Sequence, residues 1–462
     1  MINSQFENHL EMITAEFREN IGKYEKIYLL YHSDADGICS GLLVERLLQK
    51  FRKPFSSSCL NLSKPWKTYL SQLELNSELN NAVIVSDLCP SSDLLYEYAV
   101  KFPKTHFFIL DHHQFKWPED VEPPNNVYNA NPTLFGLHGL KEIVGSALNY
   151  LFTVSVDESL SKYAWLAAIG IAGDTLNHVD DYRAYNKLVI EQAVQLEQVE
   201  VKEGICLYGG QHLRLDSAMA SSIFPFLPQV EGSQKKAKQI ISSLSLDPSK
   251  KIEDLSYSEA EKLAAHFPSI KILGEYLILP NKKGLLRYSF EHAQVISIFG
   301  HDSPNQARAL IGRKFITQEA KKKYNEYISR LVQNLTIFLH LPKITTHYAI
   351  FVDLTGQIHK AQWSDTGSFA SVNHIYDGTK MLFIGGKTNP DSEEYKLSVR
   401  CTPDFIAAHG GHGAVHVIHD FSRQYGGHGG GHGLAGGIRL TTSLYQKLQK
   451  EVDRIIQLYT EG

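Results

Sequence analysis

Short apolar runs alternate with amphipathic stretches over the first 190 residues of the chain. The runs KIYLLY (26–31), AVIVS (82–86) and HFFIL (106–110) have the length and composition of buried strands. Between them, GLLVERLLQKF (41–51) and SSDLLYEYAVKF (91–102) place apolar residues at helical spacing. Strands that alternate with helices are typical of a parallel sheet with helices on its faces. The pattern therefore predicts an α/β fold for this part of the chain.

The pattern changes after residue 200. Residues 201–285 combine a lysine-rich stretch with the helical run SYSEAEKLAAHF, and a long polar helix is predicted over 317–338, with a proline after it that should stop it. The last part of the chain has the strand-like runs HYAIFVDL, KMLFIGG and YKLSVRC, then a stretch rich in glycine and histidine and an amphipathic helix. We predict three parts with boundaries near 200 and 340, the last of them a smaller α/β domain.

Composition limits the class of protein. At 462 residues the chain is long enough for two or three domains. The net charge of -4 shows no general basic surplus, so any binding of nucleic acid must use a local groove.

The sequence has neither a secretory signal nor an apolar stretch of about 18 residues, so we expect a cytoplasmic protein with no membrane segment. Its five cysteines lie far apart, which favours neither a zinc knuckle nor a disulfide framework.

Carboxylates follow each of the three predicted strands. The carboxyl ends of parallel strands share one edge of a sheet, so residues far apart in sequence should converge there. A further acid follows the apolar run YAWLAAIGIAG and could face the same edge. The residues concerned are His32, Asp34, Asp36, Asp87, Asp111, His112, His113 and Asp174.

So many carboxylates at one edge cannot all be ionised and unpaired, because like charges repel strongly in a partly dry site. Divalent cations would resolve the repulsion. Oxygen-rich ligation with one or two imidazoles favours Mn²⁺ over Zn²⁺, with Mg²⁺ as the alternative. Two ions about 3.5–4 Å apart would clamp the attacking and leaving oxygens of a displacement at phosphorus and lower the pKa of a water. That chemistry is the hydrolysis of a phosphate ester.

Each motif alone has a structural explanation. Asp87 or Asp111 after a strand is most often a turn or a helix cap. The D-x-D-G segment that begins at Asp34 could be a solvated or calcium-binding loop. The position of the whole set on one predicted edge favours a metal centre over these alternatives.

The motifs resemble those of the DHH phosphoesterase superfamily. The matching segments, in the order of the family, are HSDADG (32–37), VSD (85–87), LDHH (110–113) and AIGIAGD (168–174). Near the C-terminus, GGHGGGHGLAGG (426–437), with SVR (398–400) before it, resembles the glycine-rich signature of the DHH-associated domain.

The resemblance implies a parallel-sheet DHH metal-binding catalytic domain at 1–200, a helical connector with an inserted region at 201–340 and a DHH-associated substrate-binding domain at 341–462. A long helix would join the two α/β domains, with the active cleft between the lobes. The implied ligands of two divalent cations are His32, Asp34, Asp36, Asp87, His112 and Asp174. Asp87 would bridge the ions, and His113 would contact the scissile phosphate.

The resemblance also implies a substrate site in the last domain. Its residues would be Arg400, Gly429, Gly430, Gly431 and His432. Backbone N–H groups of the glycines could approach a phosphate closely, and a flexible Gly/His loop is the alternative. For the second cluster, which runs from His409 to Gly413, we expect a solvated loop.

Within the superfamily, the chain resembles compact RecJ-like exonucleases, including those of archaeal type. The function expected is Mn²⁺-dependent hydrolysis of single-stranded DNA or RNA from an end. One alternative is a nanoRNase-like or small-nucleotide phosphodiesterase, which would act on short oligonucleotides, a cyclic dinucleotide or adenosine bisphosphate. Another is a non-catalytic replication or repair scaffold.

Residues 201–285 could bind a replication or repair protein. A basic cleft along Lys314, Lys321, Lys322, Lys323 and Arg330 would favour the exonuclease, although such residues on a helix are more often a solvated face.

Overall fold

The computed structural model describes residues 3–61, 64–118, 121–175, 178–389, 391–431 and 433–460. The chain divides into two compact units. Unit 1 comprises Met1–Cys206, Leu255–Ala265 and Lys271–Tyr324. Unit 2 comprises Leu207–Asp254, His266–Ile270 and Asn325–Gly462. The stretch 201–340, predicted as a connector, is thus shared between both units.

The strands of the described residues are β1 (Lys26–His32), β2 (Ser56–Leu60), β3 (Asn81–Ser86), β4 (Thr105–Leu110), β5 (Val127–Asn129), β6 (Glu200–Ile205), β7 (Leu273–Ile278), β8 (Ile344–Thr345), β9 (Ala349–Asp353), β10 (Met381–Lys387), β11 (Glu394–Arg400), β12 (His428–Gly431) and β13 (Ala435–Thr441).

The α-helices of the described residues are α1 (Ser4–Asn20), α2 (Ala35–Lys50), α3 (Trp66–Ser71), α4 (Ser92–Lys101), α5 (Gly145–Val156), α6 (Ala164–Asp174), α7 (Ala184–Gln195), α8 (Leu215–Ser221), α9 (Gln234–Ser243), α10 (Tyr257–His266), α11 (Ser289–Gly300), α12 (Pro304–Gly312), α13 (Gln318–His340), α14 (Trp363–Val372), α15 (Pro403–Ala408), α16 (Ala414–Tyr425) and α17 (Thr442–Gln457).

A five-stranded parallel sheet lies at the centre of unit 1, in the order β2-β1-β3-β4-β5. Its central strands are buried on both faces, which explains why they read as apolar runs. On one face, Val83 and Val85 pack with Leu95 and Tyr98 of α4. The helices α2, α5, α6 and α11 pack against one another, and α2 contacts β1 and β3. The predicted parallel sheet with flanking helices is confirmed.

Unit 2 has a mixed sheet of its own, in the order β12-β13-β11-β10-β9-β8. Among the described strands of this sheet, only β9 and β10 run parallel; the other neighbouring strands are antiparallel. The core of this unit joins Phe351 and Phe383 of the sheet to Phe405, Phe421 and Val452 of the C-terminal helices. The smaller C-terminal α/β domain is confirmed.

The long helix predicted over 317–338 is α13, which continues to His340 and passes from the segment of unit 1 into that of unit 2. The inserted region is not wholly helical, because β6 and β7 form an antiparallel pair within unit 1. Within the part of the chain that the structure describes, no helix is both long and apolar enough to cross a membrane.

Candidate metal centre

The first motif lies where β1 passes into α2. Asp34 is the N-cap of α2, and its Oδ1 accepts the Gly37 N–H at 2.8 Å. Asp36 lies in the first turn of that helix and is buried. A side chain at Gly37 would lie 2.5 Å from Cβ of His32, so glycine is required here by the tight passage from strand to helix.

Asp87 directly follows β3, with a left-handed backbone at φ 58°. Its N–H donates to the Leu110 carbonyl at 2.9 Å, which joins the end of β3 to the end of β4. The following helix α4 has Ser91 as its N-cap, so Asp87 is not a helix cap. No described helix begins at Asp111, whose buried carboxylate accepts a hydrogen bond from Nδ1 of His113 at 2.7 Å.

The six predicted metal ligands converge in unit 1. Nε2 of His112 lies 3.1 Å from Oδ1 of Asp87, 3.5 Å from Oδ2 of Asp174 and 3.9 Å from Oδ2 of Asp36. Nδ1 of His32 lies 2.8 Å from Oδ2 of Asp34 and 3.8 Å from Oδ2 of Asp87.

The ligand atoms form three overlapping groups of three, and within each group they lie within 4.8 Å of one another. The groups are His32, Asp34 and Asp87; Asp87, His112 and His113; and Asp36, His112 and Asp174. The two oxygens of Asp87 face different imidazoles, Oδ2 towards His32 and Oδ1 towards His112. A carboxylate placed in this way could bridge two cations.

Three buried carboxylate oxygens at the centre have no hydrogen-bond donor among the described residues: Oδ2 of Asp36, Oδ1 of Asp87 and Oδ2 of Asp174. Burial, followed by the charge of Asp36, raises the pKa of Asp174 to about 7. Burial and the neighbouring carboxylates hold the pKa of Asp87 well above its usual range. These carboxylates resist ionisation when no cation is near, and their buried oxygens have no donor among the described residues. Both properties are expected of carboxylates that bind divalent cations.

Both histidines of the third motif are held in fixed orientations. Nδ1 of His112 bonds to the carbonyl of Gly139 at 2.5 Å, which leaves Nε2 facing the carboxylates. This is the usual support for an imidazole that binds a metal. Burial acts to lower the pKa of His113, but the carboxylate of Asp111 outweighs it and the pKa rises to about 9. His113 therefore carries a positive charge beside the centre at neutral pH.

Two glycines that the sequence analysis did not identify allow helices to approach the carboxylates. A Cβ at Gly145, the first residue of α5, would lie 2.4 Å from Oδ1 of Asp87 and 2.7 Å from Oδ2 of Asp36. A Cβ at Gly170 in α6 would lie 2.7 Å from Oδ1 of Asp36. The N-terminus of α5 faces the centre, and the Ser146 N–H donates to Oδ1 of Asp36 at 3.0 Å. The helix dipole at this end favours negative charge.

Asn149 and Ser297 are further supporting residues. The buried Asn149 amide accepts from Oγ of Ser86 at 2.9 Å and donates to the Leu110 carbonyl at 3.1 Å, so it ties α5 to the ends of β3 and β4. Oγ of Ser297 in α11 accepts the Ala35 N–H at 3.1 Å in the first turn of α2. Both helices have other polar residues as well, so nothing in the sequence distinguishes Asn149 and Ser297 as supporting residues.

The predicted substrate residues lie in unit 2. Gly429 to Gly431 form β12, paired with β13 as a hairpin and not as an irregular loop. A side chain at Gly429 would clash with the Gly437 carbonyl at 2.6 Å, whereas Gly430 faces open space. His432 lies outside the described residues.

Arg400 is buried at the end of β11, with its donors already bonded. Nε donates to Oγ of Ser368 at 3.0 Å, and one NH2 group donates to Oγ of Ser364 at 2.8 Å. The other donates to the carbonyls of Val399 at 2.8 Å and Gly436 at 3.3 Å. Arg400 thus supports the base of the glycine hairpin.

The expectation of a solvated loop from His409 to Gly413 is wrong for His409. That residue is buried, bonds through Nδ1 to the Phe405 carbonyl at 2.7 Å and stacks on the Phe405 ring. His412 stacks on Tyr459 with ring centroids 4.3 Å apart. Tyr459 comes from a distant part of the sequence, so this pairing could not be predicted from local composition.

The predicted basic residues on and before α13 belong to two units. Lys314, Lys321, Lys322 and Lys323 lie in the segment of unit 1, and Arg330 lies in that of unit 2. Lys321 and Lys322 are exposed, whereas Nζ of Lys323 lies 3.6 Å from Oδ2 of Asp302 and over the ring of Phe299.

No family model matches the chain. An uncharacterized protein of Methanocaldococcus jannaschii is 26% identical over 277 residues, which cover 58% of this chain and 61% of that protein. The similarity therefore spans less than two thirds of that relative.

Solved structures resemble the chain over nearly its whole length. CDC45 from Entamoeba histolytica has a TM-score of 0.68 at 12% identity and covers 99% of both chains. A DHH domain, from a protein described as a member of a family of ribosomal proteins, has a TM-score of 0.53 at 13% identity and covers 98% of this chain and 90% of its own. RecJ from Thermus thermophilus, in complex with Mn²⁺, has a TM-score of 0.49 at 15% identity and covers 98% of this chain and 55% of its own. The chain therefore has a two-domain α/β fold like those of CDC45 and of this DHH domain.

Proposed function

We propose that the protein is a metal-dependent phosphodiesterase that removes nucleotides from an end of single-stranded nucleic acid, as a RecJ-like exonuclease does. The observation that carries this proposal is the set of three buried carboxylate oxygens around Nε2 of His112, on Asp36, Asp87 and Asp174, for which the described residues provide no donor. A scaffold would have no need of such a destabilising arrangement, because apolar residues of similar volume fill a core at lower free energy.

The ligand set supports two divalent cations. His32, Asp34 and Asp87 would hold one, and Asp36, His112 and Asp174 the other. Asp87 would contribute to both, because its Oδ2 faces His32 and its Oδ1 faces His112. Four carboxylates and two imidazoles favour Mn²⁺, with Mg²⁺ as the alternative. When bound, such cations supply Lewis-acid activation of the phosphate and of the attacking water.

The protein's own residues would orient the substrate around this centre. The charged imidazole of His113, held through Nδ1 by Asp111, would donate a hydrogen bond to a non-bridging oxygen of the scissile phosphate. The N-terminus of α5, which approaches closely because Gly145 has no side chain, keeps the carboxylates in place and adds a favourable dipole. In unit 2, the hairpin at Gly429 to Gly431, supported by Arg400, would bind the strand through backbone N–H groups.

The alternative is a non-catalytic scaffold of replication or repair, and the similarity to CDC45 does not decide between the two. At 12% identity that likeness concerns the fold alone. The presence of every predicted acid in one cluster favours catalysis. A nanoRNase-like activity on short oligonucleotides would use the same centre, so substrate length must be measured.

The test is digestion of end-labelled single-stranded DNA and RNA of about 5 and about 40 nucleotides in Mn²⁺. Asp87→Asn is the blank, because asparagine accepts the left-handed backbone at this position. Asp254→Asn, a change at an exposed acid of unit 2, is the matched control.

Stepwise shortening of the long strands by the wild type and the control, but not by Asp87→Asn, would support the exonuclease. Cleavage of only the short strands would favour the nanoRNase-like alternative. No cleavage of either by the wild type would contradict the proposal.

A further inference from the structure

An exposed aromatic side chain lies in the short connection between α12 and α13. Phe315 is 63% exposed, more than Tyr257 (56%) and Tyr96 (40%), the other strongly exposed aromatic residues in the described part of the chain. Its neighbours Arg313 and Lys314 are also exposed. Proteins that bind single strands often use an exposed aromatic ring beside cations to stack on a base.

A second basic segment is bonded directly to this connection. The Lys283 N–H donates to the Lys314 carbonyl at 2.9 Å. Nζ of the buried Lys282 donates to the carbonyls of Ile311 at 2.5 Å and Arg313 at 2.9 Å. These bonds fix the backbone around Phe315 and bring the two basic segments together.

The local charge is opposite to that of the whole chain. The segments 281–288 and 313–318 contain Lys282, Lys283, Arg287, Arg313 and Lys314 and no acidic residue, whereas the chain has a net charge of -4. We call Lys283, Arg313, Lys314 and Phe315 the basic-aromatic loop. A concentration of positive charge on a generally acidic protein indicates a polyanionic partner.

We propose that the basic-aromatic loop binds single-stranded nucleic acid, with Phe315 stacked on a base and the cations paired with phosphates. This proposal rests on the proposed function and extends it, because it places a strand-binding surface on unit 1, apart from the metal ligands.

The position of the loop relative to the metal ligands indicates which part of a bound strand it would contact. Nζ of Lys282 lies 4.8 Å from the ring centroid of Trp165, in the first turn of α6, and Asp174 is the last residue of that helix. Nine residues of α-helix span about 14 Å. Lys282 precedes Lys283 of the loop, so the loop lies near the end of α6 that is opposite to Asp174 and would contact nucleotides away from the scissile bond.

The test measures binding separately from cleavage. The affinity for fluorescent single-stranded DNA and RNA of about 20 nucleotides is measured by anisotropy in the Asp87→Asn background, with and without Phe315→Ala. Tyr257→Ala is the matched control, because this exposed aromatic lies among Asp254, Glu259 and Glu261 in the sequence. Phe315→Trp tests whether stacking is restored.

We expect Phe315→Ala to weaken binding of the long strands by about tenfold, Phe315→Trp to restore it and Tyr257→Ala to leave it unchanged. Lys283→Glu with Lys314→Glu should weaken binding further and flatten its dependence on salt. We expect Phe315→Ala to weaken the binding of a dinucleotide less than that of the long strands, because the loop lies apart from the metal ligands.

Unchanged affinity in Phe315→Ala and in the double charge reversal would overturn the proposal, as would the absence of strand binding. Binding through Phe315 to vesicles of anionic lipid or to an acidic peptide, but not to nucleic acid, would also overturn it. The proposed function can fail separately. Strand binding that depends on Phe315, together with no hydrolysis by the wild type, would contradict the catalytic proposal but support the binding role of the loop.

Discussion

The candidate metal centre of unit 1 and the glycine hairpin of unit 2 differ in how their polar groups are satisfied. In the centre, buried oxygens of Asp36, Asp87 and Asp174 have no donor from the described residues. At the hairpin, Arg400 is also buried, but its donors are bonded to serines and carbonyls of its own unit. A cluster of buried carboxylates without donors fits a place that binds cations, whereas a satisfied network mainly stabilises the fold. The comparison favours chemistry in unit 1 and support of a binding surface in unit 2.

The largest effect that would test this contrast is expected for Asp87→Asn. Turnover should fall below detection, because Asp87 is proposed to bind both cations through its two oxygens. Without metal, however, the variant should melt about 2 °C or more above the wild type, since a carboxylate with a raised pKa is removed from a crowd of like charges. Thermal melting with EDTA and with Mn²⁺ measures both parts. A variant less stable than the wild type in EDTA would contradict our description of the centre as electrostatically strained.

A somewhat smaller effect is expected for Gly145→Ala. The added methyl group would lie 2.4 Å from Oδ1 of Asp87 and must displace α5 or the carboxylate. Misplacement by about 1 Å can cost about 100-fold in rate, so we expect a loss of that order. The matched control is Gly22→Ala, where no described atom lies within 4 Å of the added group. Equal kcat/KM in the two variants would show that the close approach has no role in catalysis.

In unit 2, Arg400→Lys should act mainly on stability. Lysine cannot make bonds to Ser364, Ser368 and the Gly436 carbonyl together, and each unsatisfied buried partner costs about 1–3 kcal/mol. Chemical denaturation gives the free energy of unfolding, and steady-state kinetics gives KM. A raised KM with unchanged stability would instead make the guanidinium a direct ligand of the substrate.

The smallest effect is a dependence of metal-free stability on pH. The pKa of Asp174 is raised from 3.8 to about 7 in the folded protein, first by burial and then by Asp36. The folded state therefore binds this proton more tightly, and its stabilisation is present below about pH 4 and is lost as the pH rises to about 7. The melting temperature in EDTA should fall by a few degrees between about pH 5 and about pH 7. Asp174→Asn should flatten this slope; an identical slope in the variant would assign the effect elsewhere.

The central strands could be predicted from sequence, but the edge strands could not. β1, β3 and β4 are buried on both faces and form continuous apolar runs, so they were located within one or two residues. β2 lies at an edge and consists of SSSCL, with three exposed serines, and therefore has no hydrophobic pattern. β6 and β7 pair across about 70 residues of chain, a contact that local periodicity does not encode.

The metal centre was more predictable than its supports. Its acids follow strands of one parallel sheet, and topology alone brings such positions together. Gly145, Asn149 and Ser297 depend instead on how helices pack over that edge, which is decided by side-chain shape. The hydrogen bonds of Arg400 likewise depend on the packing of α14 against β11. The proposed roles of the site residues remain predictions that the variants above can test.

The left-handed backbone of Asp87 also limits how this protein could change over evolution. At φ 58° most side chains are disfavoured, and asparagine, aspartate and glycine are the best tolerated. A lineage that lost catalysis but retained the fold would therefore be expected to have asparagine or glycine at this position more often than alanine or a branched residue. Asparagine or glycine at this position of a relative would then mark a protein that lost the carboxylate ligand but retained the local backbone.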